Sequence, residues 1–199
     1  MDALQQSKAF YRQQARQNFR ALSVQDIEHE SNTITEIIKG SVRWQRAKTV
    51  LLYVPMVDEP NISPLLEDAI NANKRLYLPQ YDAAASCYHI APVQNLARDL
   101  KPGKYAIPEP ITSAVTGVSV DLAIVPGLCF SKTGARMGRG KGYYDRLLSS
   151  EIRFSFVIGI SWSNNLFEQI PTEANDIAMS AVISAASGFC LSSPTNKTH

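Results

Sequence analysis

VDLAIVPGLCFSKTGARMGRGKGYYDRLL, residues 120–148, is the stretch on which the reading of this chain turns. It opens on VDLAIV at 120–125, apolar at all but one position, as a strand covered on both faces must be. It closes on YYDRLL at 143–148, which reads as a helix start with an apolar pair. Between them Gly134, Gly138, Gly140 and Gly142 crowd into nine residues, interleaved with Arg136, Arg139 and Lys141. Glycine reaches positive φ and lets main-chain N–H groups approach a ligand closely. The cations add charge where an anion would sit. Strand, glycine-rich basic loop and helix together form the arrangement in which free N–H groups and the helix dipole hold phosphate. A phosphate grip is expected here, with a flexible basic surface loop as the alternative.

Two common nucleotide motifs do not fit. A Walker A loop needs Gly-Lys followed by Ser or Thr. Here Gly140-Lys141 is followed by Gly142, and position 135 is Ala. A dinucleotide fingerprint needs G-x-G-x-x-G, and after Gly138 and Gly140 the next glycine comes one residue too early.

Outward from this stretch, apolar runs alternate with helical patterns. Residues 3–22 read as a helix in which Lys8, Arg12, Arg16 and Arg20 recur every four positions as a basic stripe. Leu4, Ala15 and Phe19 supply its apolar side. Cations near a helix start oppose the dipole. That favours an anionic partner, although a solvated face is the simpler reading. Ser23 and Asp26 have the spacing of a capping box. They open a second helix with Ile27, Ile34, Ile37 and Ile38 on one face and Gly40 as its stop. TVLLYV at 49–54 is a central strand, and the loop 56–61 lies at its carboxyl end, where open α/β sheets bind ligands. Ser63-Pro64 starts a helix. Residues 75–78 are a strand closed by Pro79, and residues 87–91 are another. Residues 96–110, with Gly103, Pro102, Pro108 and Pro110, read as a loop. Residues 154–160 form a strand, Leu166, Phe167 and Ile170 a short helix, and 181–183 a last strand. The pattern predicts a three-layer α/β fold with a largely parallel central sheet, in one domain over residues 1–186 with a loose tail at 187–199.

Composition bounds the function. The 199 residues are 45% hydrophobic and 19% charged, enough for a sizeable core. Net charge is +2, so any basic surface is local. Cys87, Cys129 and Cys190 lie far apart without a C-x-x-C pair, which speaks against a zinc site and for a reducing compartment. No run has the length of a signal or membrane segment. A cytoplasmic protein without membrane contact is expected. An RNA-binding module would need aromatic platforms among basic residues. Tyr143 and Tyr144 are the only such pair, so nucleic acid is not the expected partner.

PGLCF, GARMGRGKGYYDRLL and IPTEANDIAM, with YVPMVDE upstream and the basic first helix, resemble the 5-formyltetrahydrofolate cyclo-ligase family over nearly the whole chain. The resemblance implies a Rossmann-like α/β sandwich. It also implies ATP- and magnesium-dependent conversion of 5-formyltetrahydrofolate to 5,10-methenyltetrahydrofolate with release of ADP and phosphate. By the same resemblance Lys8 and Arg12 meet the nucleotide's phosphates, and Arg136, Gly138, Arg139, Gly140, Lys141, Gly142, Tyr143 and Tyr144 wrap them. Val54, Met56 and Glu59, with Arg139 to Tyr143, border the folate, while Asp145 and Asp176 bind magnesium. Arg139 and Lys141 are the candidates for stabilising the transferring phosphoryl group. A monomer is expected. The chain departs from the family at Cys129, Ser131, Asn165 and Ser180.

Overall fold

The computed structural model describes residues 3–191. Its helices are α1 (Ala3–Arg20), α2 (Val24–Gly40), α3 (Val42–Arg46), α4 (Ser63–Asn71) and α5 (Tyr143–Leu148). Its strands begin with β1 (Thr49–Leu51), β2 (Arg75–Asp82), β3 (Cys87–Val93), β4 (Leu100–Pro102), β5 (Pro108–Pro110), β6 (Ser119–Val120) and β7 (Leu122–Pro126). They continue with β8 (Cys129–Ser131), β9 (Arg136–Met137), β10 (Arg153–Phe154), β11 (Val157–Ile160), β12 (Leu166–Phe167), β13 (Ala181–Ser184) and β14 (Gly188–Leu191).

Seven strands form the central sheet in the order β14-β13-β11-β7-β1-β2-β3. The five inner strands run parallel, and the edge strands β3 and β14 are antiparallel. The inner strands are apolar because both faces are covered, and their residues divide with a period of two. Val50, Leu52, Leu122, Ile124, Ile158 and Ile160 pack with Ile34 and Ile38 of α2, Trp44 of α3 and Leu65 of α4. Leu51, Ala123, Val125, Val157 and Val182 face the other way, onto Phe130, Ile152 and Leu147 of α5. This is the expected three-layer α/β arrangement, with the second outer layer thin.

Local signals account for the helix ends. The Ser23–Asp26 capping box forms as read: Asp26 N–H donates to Ser23 Oγ at 3.1 Å and Ser23 N–H to Asp26 Oδ2 at 3.0 Å. Gly40 does not stop α2 alone. Ser41 follows in an extended conformation, and its Oγ accepts from Trp44 N–H to cap α3. α4 begins at Ser63 itself, with no side-chain cap, and Pro64 occupies its first turn.

Five expectations need correction. Residues 96–110 contain the β4–β5 hairpin rather than a plain loop, since the prolines sit at paired positions that need no cross-strand N–H, the flanking hydrogen bonds coming from Gly103 N–H to Ile107 O and Ile111 N–H to Asp99 O. β2 runs through Pro79 because its pairing with β1 ends at Tyr77, so the missing N–H faces no partner strand. Leu166 and Phe167 form a strand beside β8, not a helix. Gly188–Leu191, assigned to the loose tail, pair with β13, while 192–199 lie outside the described residues. Finally, the path from β7 to the glycine loop is not direct. The chain first makes the β8–β9 hairpin, on which α1 packs through Ala15 against Leu128, Cys129 and Met137. That packing carries Lys8 and Arg12 of α1 to the glycine loop.

Candidate active site

In chain order the sheet grows from β1 to β2 on one side, then restarts with β7 on the other. The gap between the segments leaving β1 and β7 is therefore the topological switch point, where open α/β sheets bind ligands beyond the strands' carboxyl ends. Two cavities meet there. One, of about 290 Å³, is mainly apolar and aromatic, walled by Tyr53, Val54, Met56, Tyr88, Tyr143 and Tyr144. The other, of about 320 Å³, is polar and walled by Lys8, Arg12, Lys141, Asp145, Glu173 and Asp176 among others. Arg136, Gly138, Lys141 and Gly142 line both.

The apolar cavity is shaped by the loop after β1. Tyr53 donates its hydroxyl to Pro60 O at 3.0 Å, and buried Trp162 donates Nε1–H to Asp58 O at 3.0 Å. These contacts fix the backbone and turn Glu59 inward, where Met56 N–H donates to its Oε2 at 3.0 Å. Burial pushes the Glu59 carboxyl above its ordinary pKa, opposed by that N–H and by Arg139. Beyond Tyr77, β2 and β3 project past the sheet as a two-stranded ribbon and add Leu78, Pro79 and Tyr88 to the wall. Tyr143 stacks edge-on against Tyr88 with ring centres 5.2 Å apart, and Lys104 donates to the Tyr143 hydroxyl at 3.0 Å. Burial raises the Tyr88 hydroxyl to about 12, so the phenol stays neutral.

The polar cavity sets four cations, Lys8, Arg12, Arg136 and Lys141, against three carboxylates, and among the described residues only Lys8 and Arg136 are paired with them. Lys8, only 5% exposed, meets Asp176 Oδ2 at 2.8 Å and Glu173 Oε2 at 3.4 Å. Arg136 Nη2 meets Asp145 Oδ2 at 2.8 Å. Arg12 donates Nε–H to Gly138 O at 3.0 Å and so ties α1 to the glycine loop. Lys141 is exposed, and its ammonium pairs with no carboxylate among the described residues. The N-terminal stripe is thus split: Lys8 and Arg12 turn into the cavity, while Arg16 and Arg20 remain at the surface. Gly140 and Gly142 have φ of 95° and 63°, values that favour glycine. α5 has only six residues and no side-chain cap, so side-chain charge and loop N–H groups contribute more here than a helix dipole.

The structure brings together all the residues singled out in the sequence, but it sorts them. Lys8, Arg12, Gly140, Asp145 and Asp176 line the polar cavity alone. Val54, Met56, Glu59, Arg139, Tyr143 and Tyr144 line the apolar one alone. Among the described residues no three acidic, histidine or cysteine side chains cluster as a preformed metal cage. The donor set still suits magnesium, which needs only a carboxylate or two beside phosphate oxygens. Asp145 Oδ1 is buried on this wall without a hydrogen-bond partner, an acceptor that a hard cation would satisfy. Sequence reasoning missed Gln5, Glu173, Tyr88 and Tyr105 as wall residues. Glu173 stands inside the quoted IPTEANDIAM, whereas Tyr105 lies in the proline-rich segment and carried no signal. None of the family departures lines either cavity. Ser131 caps its own turn through Ala135 N–H, Asn165 donates to Ala15 O, and Ser180 Oγ accepts from Val157 N–H.

A doubly wound sheet with a cationic and an aromatic cavity sharing one glycine loop at its switch point defines an α/β protein with a two-part pocket. The chain belongs to the 5-formyltetrahydrofolate cyclo-ligase family, whose sequence pattern matches residues 4–185. It is thereby a ligase of folate and one-carbon metabolism. It is 26% identical over 191 residues to the 5-formyltetrahydrofolate cyclo-ligase of Mus musculus, covering 89% of this chain and 93% of that one. It is 31% identical over 147 residues to that of Mycolicibacterium smegmatis, covering 71% and 76%. The NMR structure of Aquifex aeolicus 5,10-methenyltetrahydrofolate synthetase superposes with a TM-score of 0.81 at 26% identity, over 96% of both chains. Among the described residues no helix is long and apolar enough to cross a membrane.

Proposed function

We propose that this protein cyclises 5-formyltetrahydrofolate to 5,10-methenyltetrahydrofolate, using ATP and magnesium and releasing ADP and phosphate. The observation that carries the reading is the meeting of a cationic and an aromatic cavity at Arg136, Gly138, Lys141 and Gly142. A triphosphate in the polar cavity would present its terminal phosphorus at that junction, against a pterin ring in the apolar one. The formyl oxygen attacks the γ-phosphorus and ADP leaves. N10 then attacks the phosphorylated formyl carbon, phosphate departs with the C–O bond, and N10 gives up its proton as the methenyl bridge forms. No protein nucleophile is required, which agrees with His29 and His89 lining neither cavity.

The chain's share is positioning and charge neutralisation. Lys8 and Arg12 take phosphate oxygens, Glu59 accepts N–H donors of the pterin, and the tyrosines enclose the ring. Lys141, without a carboxylate partner among the described residues, is the group available to the transferring phosphoryl. Arg139, a candidate for the same role in the sequence, stands in the apolar wall and is read here as a folate-side residue. Asp145 and Asp176 would hold magnesium, which when bound neutralises phosphate charge. The protein is proposed to act as a monomer in the cytoplasm, although the Arabidopsis thaliana relative is named as mitochondrial. The test is thermal: ATP with magnesium should raise Tm, and 5-formyltetrahydrofolate should raise it independently. A shift with neither ligand refutes the assignment.

A further inference from the structure

Asp58 lines neither cavity, yet it touches Arg139, which stands in the wall of the apolar one. A single nitrogen of Arg139, Nη2, lies 2.5 Å from Asp58 Oδ1 and 3.4 Å from Glu59 Oε1. Two neighbouring carboxylates on one loop therefore share one guanidinium, and Asp58 has the nearer contact. Their surroundings differ: the Asp58 side chain is 21% exposed and that of Glu59 only 8%. Without a competitor, the guanidinium would close on the buried carboxylate, where an ion pair is less screened. It could then form the two-pronged pairing that arginine makes with carboxylates. Glu59 already spends Oε2 on Met56 N–H. With the guanidinium closed on Oε1 as well, its charge would be neutralised and fewer of its lone pairs would be left for a ligand in the apolar cavity.

We propose that Asp58 is a positioning residue for folate binding: by taking the nearer contact with Arg139 it keeps the guanidinium from closing further than the long 3.4 Å contact on Glu59, so that the Glu59 carboxylate stays available to the N–H donors of the substrate's pyrimidine ring. The inference rests on reading the apolar cavity as the folate pocket. The loop does not depend on the Asp58 side chain for its shape, because the anchor to Trp162 is made by the Asp58 backbone carbonyl and a second by Pro60 O. An aspartate-to-asparagine change therefore removes the competing charge and leaves the scaffold.

The experiment compares the wild-type chain with Asp58→Asn, Asp58→Glu, Arg139→Gln and the double variant Asp58→Asn/Arg139→Gln. It measures kcat, KM for 5-formyltetrahydrofolate and KM for ATP. Asp58→Asn should raise the folate KM by roughly 5- to 20-fold, while kcat and the ATP KM stay within about twofold. Asp58→Glu should recover most of the folate affinity. The double variant should bind folate no worse than Arg139→Gln alone, because with no guanidinium present Asp58 has nothing to hold. The inference is overturned if Asp58→Asn leaves the folate KM unchanged. It is also overturned if the same penalty persists in the Arg139→Gln background, or if both KM values and Tm move together. A wild-type chain that neither binds nor turns over 5-formyltetrahydrofolate overturns the functional reading as well, and so is told apart from failure of the inference alone.

Discussion

Lys141→Ala isolates function from stability better than any other change in the loop. Arg136 and Lys8 are buried in ion pairs, so removing either strands a carboxylate and costs stability whatever its chemical role. Lys141 is exposed and unpaired among the described residues, so its loss should leave Tm within about a degree or two, as for surface changes of under about 0.5 kcal/mol. It lines both cavities and stands where charge redistributes as the phosphoryl group passes. A hydrogen bond to a charged group contributes about 1.5–3 kcal/mol. At about 1.4 kcal/mol per tenfold, its loss from the transition state lowers kcat by roughly 10- to 150-fold. The ATP constant should move much less, because Lys8 and Arg12 still hold the phosphates. Initial rates at saturating ATP and folate, with a melting curve of the same preparation, provide the check. An unchanged kcat, or a loss confined to the ATP KM, refutes the role given to Lys141.

Asp145→Asn should raise the magnesium required for half-maximal rate and also lower stability by about 1–3 kcal/mol, since buried Arg136 loses its charged partner. An unmoved magnesium dependence counts against the metal role. Gly140→Val should weaken binding of a non-hydrolysable ATP analogue, because φ of 95° strains any β-branched residue. Normal titration by calorimetry would show that the loop grips by charge alone. Burial holds the Glu59 carboxyl above its ordinary 4.5, so its ionised form is lost at a higher pH than for a surface glutamate. The folate KM should rise as pH falls toward that value, and Glu59→Gln should abolish this limb. The native state takes up this proton more readily than the unfolded chain. Glu59 therefore favours folding increasingly as pH falls through its raised pKa toward the unfolded one, and Glu59→Gln should flatten that part of the profile of Tm against pH.

What could be read without coordinates was local or continuous. VDLAIV declared a parallel strand because both of its faces are covered, and Ser23–Asp26 declared a cap because both partners lie within one turn. The β8–β9 hairpin stayed hidden because its strands have three and two residues, and their pairing competes with a glycine pattern that reads as plain loop. β14 was lost because Ser, Thr and Asn around it read as a tail, whereas pairing with β13 depends on a neighbour rather than on composition. The site divides along the same line. The glycine loop announces an anion by itself, but Lys8 and Asp176 are 168 positions apart, and nothing local foretells that they pair. Nor does the order Asp58-Glu59 show which carboxylate faces the cavity. The fixed loop backbone decides that.

The central claim is that the two cavities bring a triphosphate and a formylated folate together at one junction. The most direct measurement mixes purified protein with 5-formyltetrahydrofolate and follows methenyltetrahydrofolate by absorbance, with ADP assayed in parallel. Product should appear only with ATP and magnesium, one ADP for each methenyl bridge formed. Product without ATP, or ADP release indifferent to the folate, would contradict the account.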